Sequence, residues 1–82
     1  PNAKVHAVVI PKTHIMASIN EINKENIHQI SEIILNIPKI ASNLGLSNGY
    51  RVITNSGPDA GQTVGHIHFH ILGGERLSDT LK

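Results

Sequence analysis

Apolar and polar residues alternate through His66, Ile67, His68, Phe69, His70 and Ile71, the period of two that marks a strand with one buried face. The spacing predicts that Ile67, Phe69 and Ile71 point into a core and that the three imidazoles share the other face. A different period runs from about Lys24 to Leu44. Ile27, Ile30, Ile34, Ile37, Ala41 and Leu44 recur in steps of three and four, which is one face of a helix. Ile33 and Ile40 widen that face, so the helix is expected to pack on a sheet along one side and on a second surface along another. A plain core helix and one that also makes a dimer contact both fit. Pro38 lacks a backbone donor and crowds the preceding turn, which predicts a kink near Asn36 to Pro38 or two helices end to end. Asn20 or Asn23 is the expected N-cap, Glu25 suits the positive end of the dipole, and Gly45 is the expected C-cap.

Two further β-branched runs read as strands: Val5 to Ile10, stopped by Pro11, and Tyr50 to Thr54. Residues 11–15 (PKTHI) form a strand exit and turn, which makes His14 a structural or surface residue; His28 is expected to face solvent on the helix or to pack locally. Residues 55–65 (NSGPDAGQTVG) form a turn-rich loop with three glycines and one proline. Glycine lets backbone N–H groups approach a ligand closely. After Gly73 and Gly74 the segment from Glu75 to Lys82 is polar and expected to be loosely held.

Composition narrows the function classes. With 82 residues the chain is a single domain with a small core. It has no cysteine, hence no disulfide and no thiolate metal site. One Phe, one Tyr and no Trp leave no base-stacking surface, and a net charge of +1 without basic runs leaves no polyanion footprint. No stretch approaches the ~20 apolar residues of a membrane span. The reading is a soluble cytoplasmic protein without nucleic-acid or membrane partners. The chain opens at Pro1 and enters a strand almost at once, as a processed chain or a fragment would. A second copy would bury what so small a core leaves exposed.

A single histidine on a strand is ordinary; three on one face behind a glycine-rich loop are not. A metal site is one reading. Alternate strand residues stand roughly 7 Å apart at the backbone, so a row of three surrounds an ion poorly, and only Asp59 and Glu75 lie near in sequence. Phosphate chemistry is the other. Imidazoles on one face can share protons and bind phosphate oxygens while a neutral ring attacks phosphorus. The loop would add backbone N–H groups, the Gln62 amide and the Thr63 hydroxyl.

The segment HIHFHIL (residues 66–72) resembles the histidine triad pattern, and residues 5–15 (VHAVVIPKTHI) and 44–74 resemble the same family nearly continuously. The Gly73-Gly74 pair resembles the Hint branch more than the Fhit branch. The resemblance implies an α+β fold, an antiparallel sheet with a packed helix, dimerised into a longer sheet and lacking here the family's usual first helix and strands. It implies purine nucleotide binding and hydrolysis of nucleoside phosphoramidates or aminoacyl-adenylate-like substrates, without a metal or other cofactor. By the resemblance His68 is the nucleophile, forming a nucleotidyl-histidine that water cleaves. His66 and His70 orient the phosphate, and His6 supports them from the adjacent strand. Thr63 stands where the branch usually has serine, and Asn55, Gly61, Gln62 and Val64 complete the phosphate and leaving-group contacts.

The chain departs from the pattern at both ends. Such domains usually begin earlier, with a helix and hairpin that build much of the nucleoside pocket. They often end in a Trp-containing segment, where this chain ends SDTLK (residues 78–82). The expectation is one HIT-like domain over residues 1–82, a piece of a longer chain with an incomplete nucleoside pocket. A Fhit-like dinucleoside polyphosphate hydrolase and a non-catalytic nucleotide-binding module are the competing readings.

Overall fold

The computed structural model describes residues 3–79; the end of the SDTLK tail and Pro1 lie outside them. Strand β1 spans Val5–Val9, helix α1 Ile27–Asn43, strand β2 Tyr50–Ile53 and strand β3 Phe69–Gly73, with short 3₁₀ turns at Ile19–Glu21 and Pro58–Ala60. β3 lies between β1 and β2, antiparallel to both. The fold is therefore the expected antiparallel sheet with one helix.

Cross-strand partners share a face. Ala7, Ile71 and Val52 form one row and Val9 faces Phe69, all on the core side. Val8, His70 and Ile53 form the opposite row, with His6, Leu72 and Arg51 beside it. Ile67, Phe69 and Ile71 are all buried, as their alternation predicts. They meet Ile30, Ile37 and Ala41 of α1, with Met16 and Leu46 completing the core.

The helix is rotated relative to the expected stripe. Ile30, Ile37 and Ala41 are buried, and Ile33 and Ile40 pack against the core, but Ile27, Ile34 and Leu44 are exposed. Equal hydrophobicity on both flanks of the stripe leaves the sheet to select which flank turns inward. α1 is also continuous through Pro38, not divided into two helices. A proline removes one hydrogen bond from a helix that its buried face still anchors. Asn23 does not cap α1 directly. Its Oδ1 accepts from the N–H groups of Glu25 and Asn26 at 3.0 and 2.9 Å, and Asn26 is the N-cap; Glu25 thus precedes the helix.

The C-terminus of α1 follows its glycine. Gly45 has φ 78°, a left-handed conformation that costs glycine little. Its N–H donates to Ser42 O and that of Leu46 to Ala41 O, both at 3.0 Å, the bond pair of a Schellman motif. Leu46 is thereby returned to the core.

Three strand boundaries differ from expectation. β1 stops at Val9, β2 stops at Ile53, and β3 begins only at Phe69. His66 sits in a bend and His68 precedes the first paired residue of β3, so the histidine row is not one continuous strand. The segment after β3 is tied down as far as it is described. Glu75 Oε2 accepts from Lys4 N–H at 2.7 Å, and Arg51 Nη2 donates to Ser78 O at 2.7 Å.

Candidate active site

His70 projects from the central strand on the face opposite the core, and His6 projects beside it from β1. Their rings meet through His6 Nε2 and His70 Nδ1, 2.8 Å apart. One of these nitrogens carries the proton and the other accepts it. The His68 ring lies on the far side of His70, with centroids 5.1 Å apart and an edge-on arrangement. The three imidazoles thus form a short file: His6, His70, His68.

His68 has the most informative hydrogen bond of the site. Its Nδ1 lies 2.9 Å from the His66 carbonyl oxygen. A carbonyl only accepts, so Nδ1 must donate. In the neutral ring the lone pair then belongs to Nε2. A ring that attacks through Nε2 needs that tautomer, and a backbone carbonyl two residues earlier selects it.

His66 itself turns elsewhere. Its ring packs edge-on against His14 with centroids 4.5 Å apart, and their Nδ1 atoms are in hydrogen-bond contact. The expected row of three is therefore two groups, and His14, expected as a structural or surface residue, is an exposed partner of the first triad histidine. This contact depends on residues 11–18 folding over residue 67, where Ile67 N–H donates to Met16 O at 2.9 Å. Among the described residues no three His, Cys, Asp or Glu side chains form a potential metal-binding group.

A cleft of about 380 Å³ opens beside His68 and His70. It is lined by Asn55, Gly61, Gln62, Thr63 and Val64 of the loop and by Val8 and Ile10. Seven of the residues named from the sequence, His68, His70, Asn55, Gly61, Gln62, Thr63 and Val64, therefore converge there. His6 and His66 do not line it: His6 supports His70, while His66 lends its carbonyl to His68 and its ring to His14. Val8 and Ile10 are about half exposed, 48% and 54%, an apolar floor next to polar chemistry. A larger cleft of about 630 Å³ lies at the other end of β3, between residues 45–51 and 74–79, and contains no histidine.

The loop owes its shape to Gln62. Its Oε1 accepts from Gly57 N–H at 2.8 Å, and its Nε2 donates to Ala17 O and Val64 O at 2.7 and 2.9 Å. Both amide protons are spent inside the protein, so Gln62 holds the loop in place before it offers anything to a ligand. Gly61, at φ 77°, makes the left-handed turn ahead of it. Sequence reading missed this use of Gln62 because its partner, Ala17, is 45 positions away. It also passed over Thr54, whose Oγ1 donates to the His68 carbonyl at 2.7 Å. The end of a β-branched run just before Asn55 was the signal available.

His70 is held below the ordinary imidazole value of 6.5, first by partial burial and then by positive charge on His68 and His6. The fold therefore favours neutral His70. The unfolded chain takes up this proton near pH 6.5, the folded chain only at lower pH. The stabilisation is complete above pH 6.5 and is lost as pH falls from there through the lowered folded value. Melting temperature should accordingly fall on mild acidification, and His70→Gln should flatten that fall in calorimetry across the same range. An equally steep decline in the variant would contradict the assignment.

A central antiparallel strand, a helix behind it and paired imidazoles before a glycine-rich loop define the histidine triad class of fold. The HIT domain model matches residues 1–77, and the chain belongs to that family. It is 45% identical over 78 residues to an uncharacterised HIT-like protein of Rickettsia prowazekii, covering 94% of this chain and 65% of the relative, so it spans just under two thirds of that protein's length. It is 44% identical over 78 residues to an uncharacterised HIT-like protein of Synechococcus elongatus, covering 95% of this chain and 68% of the other. Among solved structures, a HIT family hydrolase from Clostridium thermocellum superposes with a TM-score of 0.90 at 44% identity, over 100% of this chain and 71% of that one. A histidine triad protein from Clostridium difficile gives 0.87 at 41% identity, over 98% and 70%.

Proposed function

We propose that this domain carries the catalytic half of a nucleotide hydrolase of the Hint type, acting on nucleoside phosphoramidates or aminoacyl-adenylate-like substrates with a purine nucleoside. The observation that carries this reading is the His68 Nδ1 bond to the His66 carbonyl, which frees Nε2 beside the cleft. The names of its solved neighbours, which include a HIT family hydrolase, support the same class.

In this reading the Nε2 lone pair of His68 attacks the α-phosphorus, and a His–phosphorus bond replaces the phosphorus–nitrogen bond. The amine leaves with the electron pair of that bond and takes up a proton. The pair supplies it once His6 has taken a second proton from solvent: His6 Nε2–H passes to His70 Nδ1 as His70 Nε2–H passes to the amine, which leaves both rings neutral. Water then attacks phosphorus, His68 departs with its lone pair restored, and the nucleoside monophosphate is released. In this reading backbone N–H groups near Gly61 and Val64 and the Thr63 hydroxyl, which line the cleft, donate to the phosphate oxygens. No step requires a metal or cofactor.

A homodimer belongs to the same proposal. The exposed Ile27, Ile34 and Leu35 on α1, with half-exposed Val52 and Tyr50 on β2, offer apolar surface and, among the described residues, a strand edge without a partner. The test of function is steady-state turnover by the full-length protein of adenosine 5′-phosphoramidate against diadenosine polyphosphate. Faster cleavage of the phosphoramidate is expected. Faster polyphosphate cleavage would replace the reading with a Fhit-like one, and tight AMP binding without turnover with a binding module.

A further inference from the structure

The ladder between β2 and β3 ends at the Ile53–His70 pair, yet the next residue still reaches across. Thr54 Oγ1 donates to the His68 carbonyl at 2.7 Å in a half-buried position. His68 is thus tied at two places. Its ring is held through Nδ1 by the His66 carbonyl, and its main chain is held through its own carbonyl by Thr54.

The two ties act differently. The first selects the bare nitrogen. The second fixes the peptide from which the side chain springs, at a point where backbone pairing to β2 has already stopped. Thr54 also directly precedes Asn55, which lines the same cleft as His68, so one hydroxyl links the two sides of the site. Valine has the same shape but cannot donate, and it would leave a partly buried carbonyl to find another partner by rotating its peptide. Small displacements of a reacting group are costly to rate.

We propose that Thr54 is a positioning residue for His68: its hydroxyl adds a side-chain rung to the β2–β3 ladder and holds the His68 main chain so that Nε2 faces the cleft. The proposal rests on His68 as nucleophile. Its test compares Thr54→Val and Thr54→Ser with the parent full-length protein, with Thr54→Ala as a second donor-free variant should the valine form not fold. Phosphoramidate turnover is read alongside the ¹⁵N chemical shifts of the His68 ring.

In Thr54→Val, kcat should fall on the order of tenfold with KM within about twofold, and Thr54→Ser should restore most of it. The His68 nitrogens should show an Nδ1–H tautomer in the parent and the serine form, and a more averaged pattern in the valine form. A valine variant with lower melting temperature but parental kcat and nitrogen shifts would overturn the proposal, because the hydroxyl would then be purely structural. If the parent turns over no nucleotide, the hydrolase reading falls and the nitrogen shifts alone decide Thr54: averaging confined to the donor-free variants supports it, and identical patterns overturn it.

Discussion

His68→Ala should lower phosphoramidate turnover by on the order of a thousandfold or more, because no other imidazole of the site has its tautomer fixed for attack. His70 shares its Nδ1 with His6, and His66 shares its Nδ1 with His14. Among the described residues neither ring meets a carbonyl that selects a bare nitrogen toward the cleft. The fold should survive the change, since His68 is half-buried and lies outside the strand ladder. His66→Ala makes the informative contrast. The atom that holds His68 is the His66 carbonyl, and a substitution at the side chain leaves it in place. His66→Ala should therefore retain far more activity than His68→Ala, its loss reflecting the released His14 ring. Turnover and melting temperature of the two variants check this. A His68→Ala enzyme within tenfold of the parent would remove His68 as nucleophile.

The site was legible in the sequence where its contacts are local and illegible where they are distant. Alternation of His and apolar residues fixes which side chains enter the core, and Ile67, Phe69 and Ile71 are buried accordingly. Burial alternates from His66 to Ile71 although the ladder covers only the segment from Phe69 onward. The loop's composition pointed to Gln62 and Thr63 beside the histidines, while Asn55, Gly61 and Val64 came from the family resemblance; all five line the cleft.

Partnerships between histidines were another matter. Only the family resemblance put His6 beside the triad, because the register that sets Val8 opposite His70 is a tertiary fact. His14 reaches His66 across 52 positions because residues 11–18 cross over Ile67. No local propensity encodes that crossing. The helix repeats the lesson in apolar terms. Its pattern announces a face but not the rotation, as Ile27, Ile34 and Leu44 are no less hydrophobic than Ile33 and Ile40. What decides is the shape of the sheet below.

Ile71→Ala should be the most damaging substitution for stability, costing about 2–5 kcal/mol. Ile71 is 0% exposed at the middle of the central strand, between Ala7 on one side and Val52 on the other. Ala7 is already small and cannot expand into the space, so the cavity should persist and the larger part of that range applies. A domain of this size has total stability near the lower end of about 5–15 kcal/mol, so a substantial unfolded population is expected. The chemistry should be spared in the molecules that remain folded, because Ile71 and His70 point to opposite faces of β3. Ile34→Ala supplies the control: at 46% exposure it should cost under about 1 kcal/mol in a single chain. If a second copy covers α1, the cost at Ile34 should instead grow with protein concentration, since assembly adds its own stabilisation. Urea unfolding of both variants at several concentrations separates these cases. A loss below about 1 kcal/mol at Ile71 would contradict its place at the centre of the core.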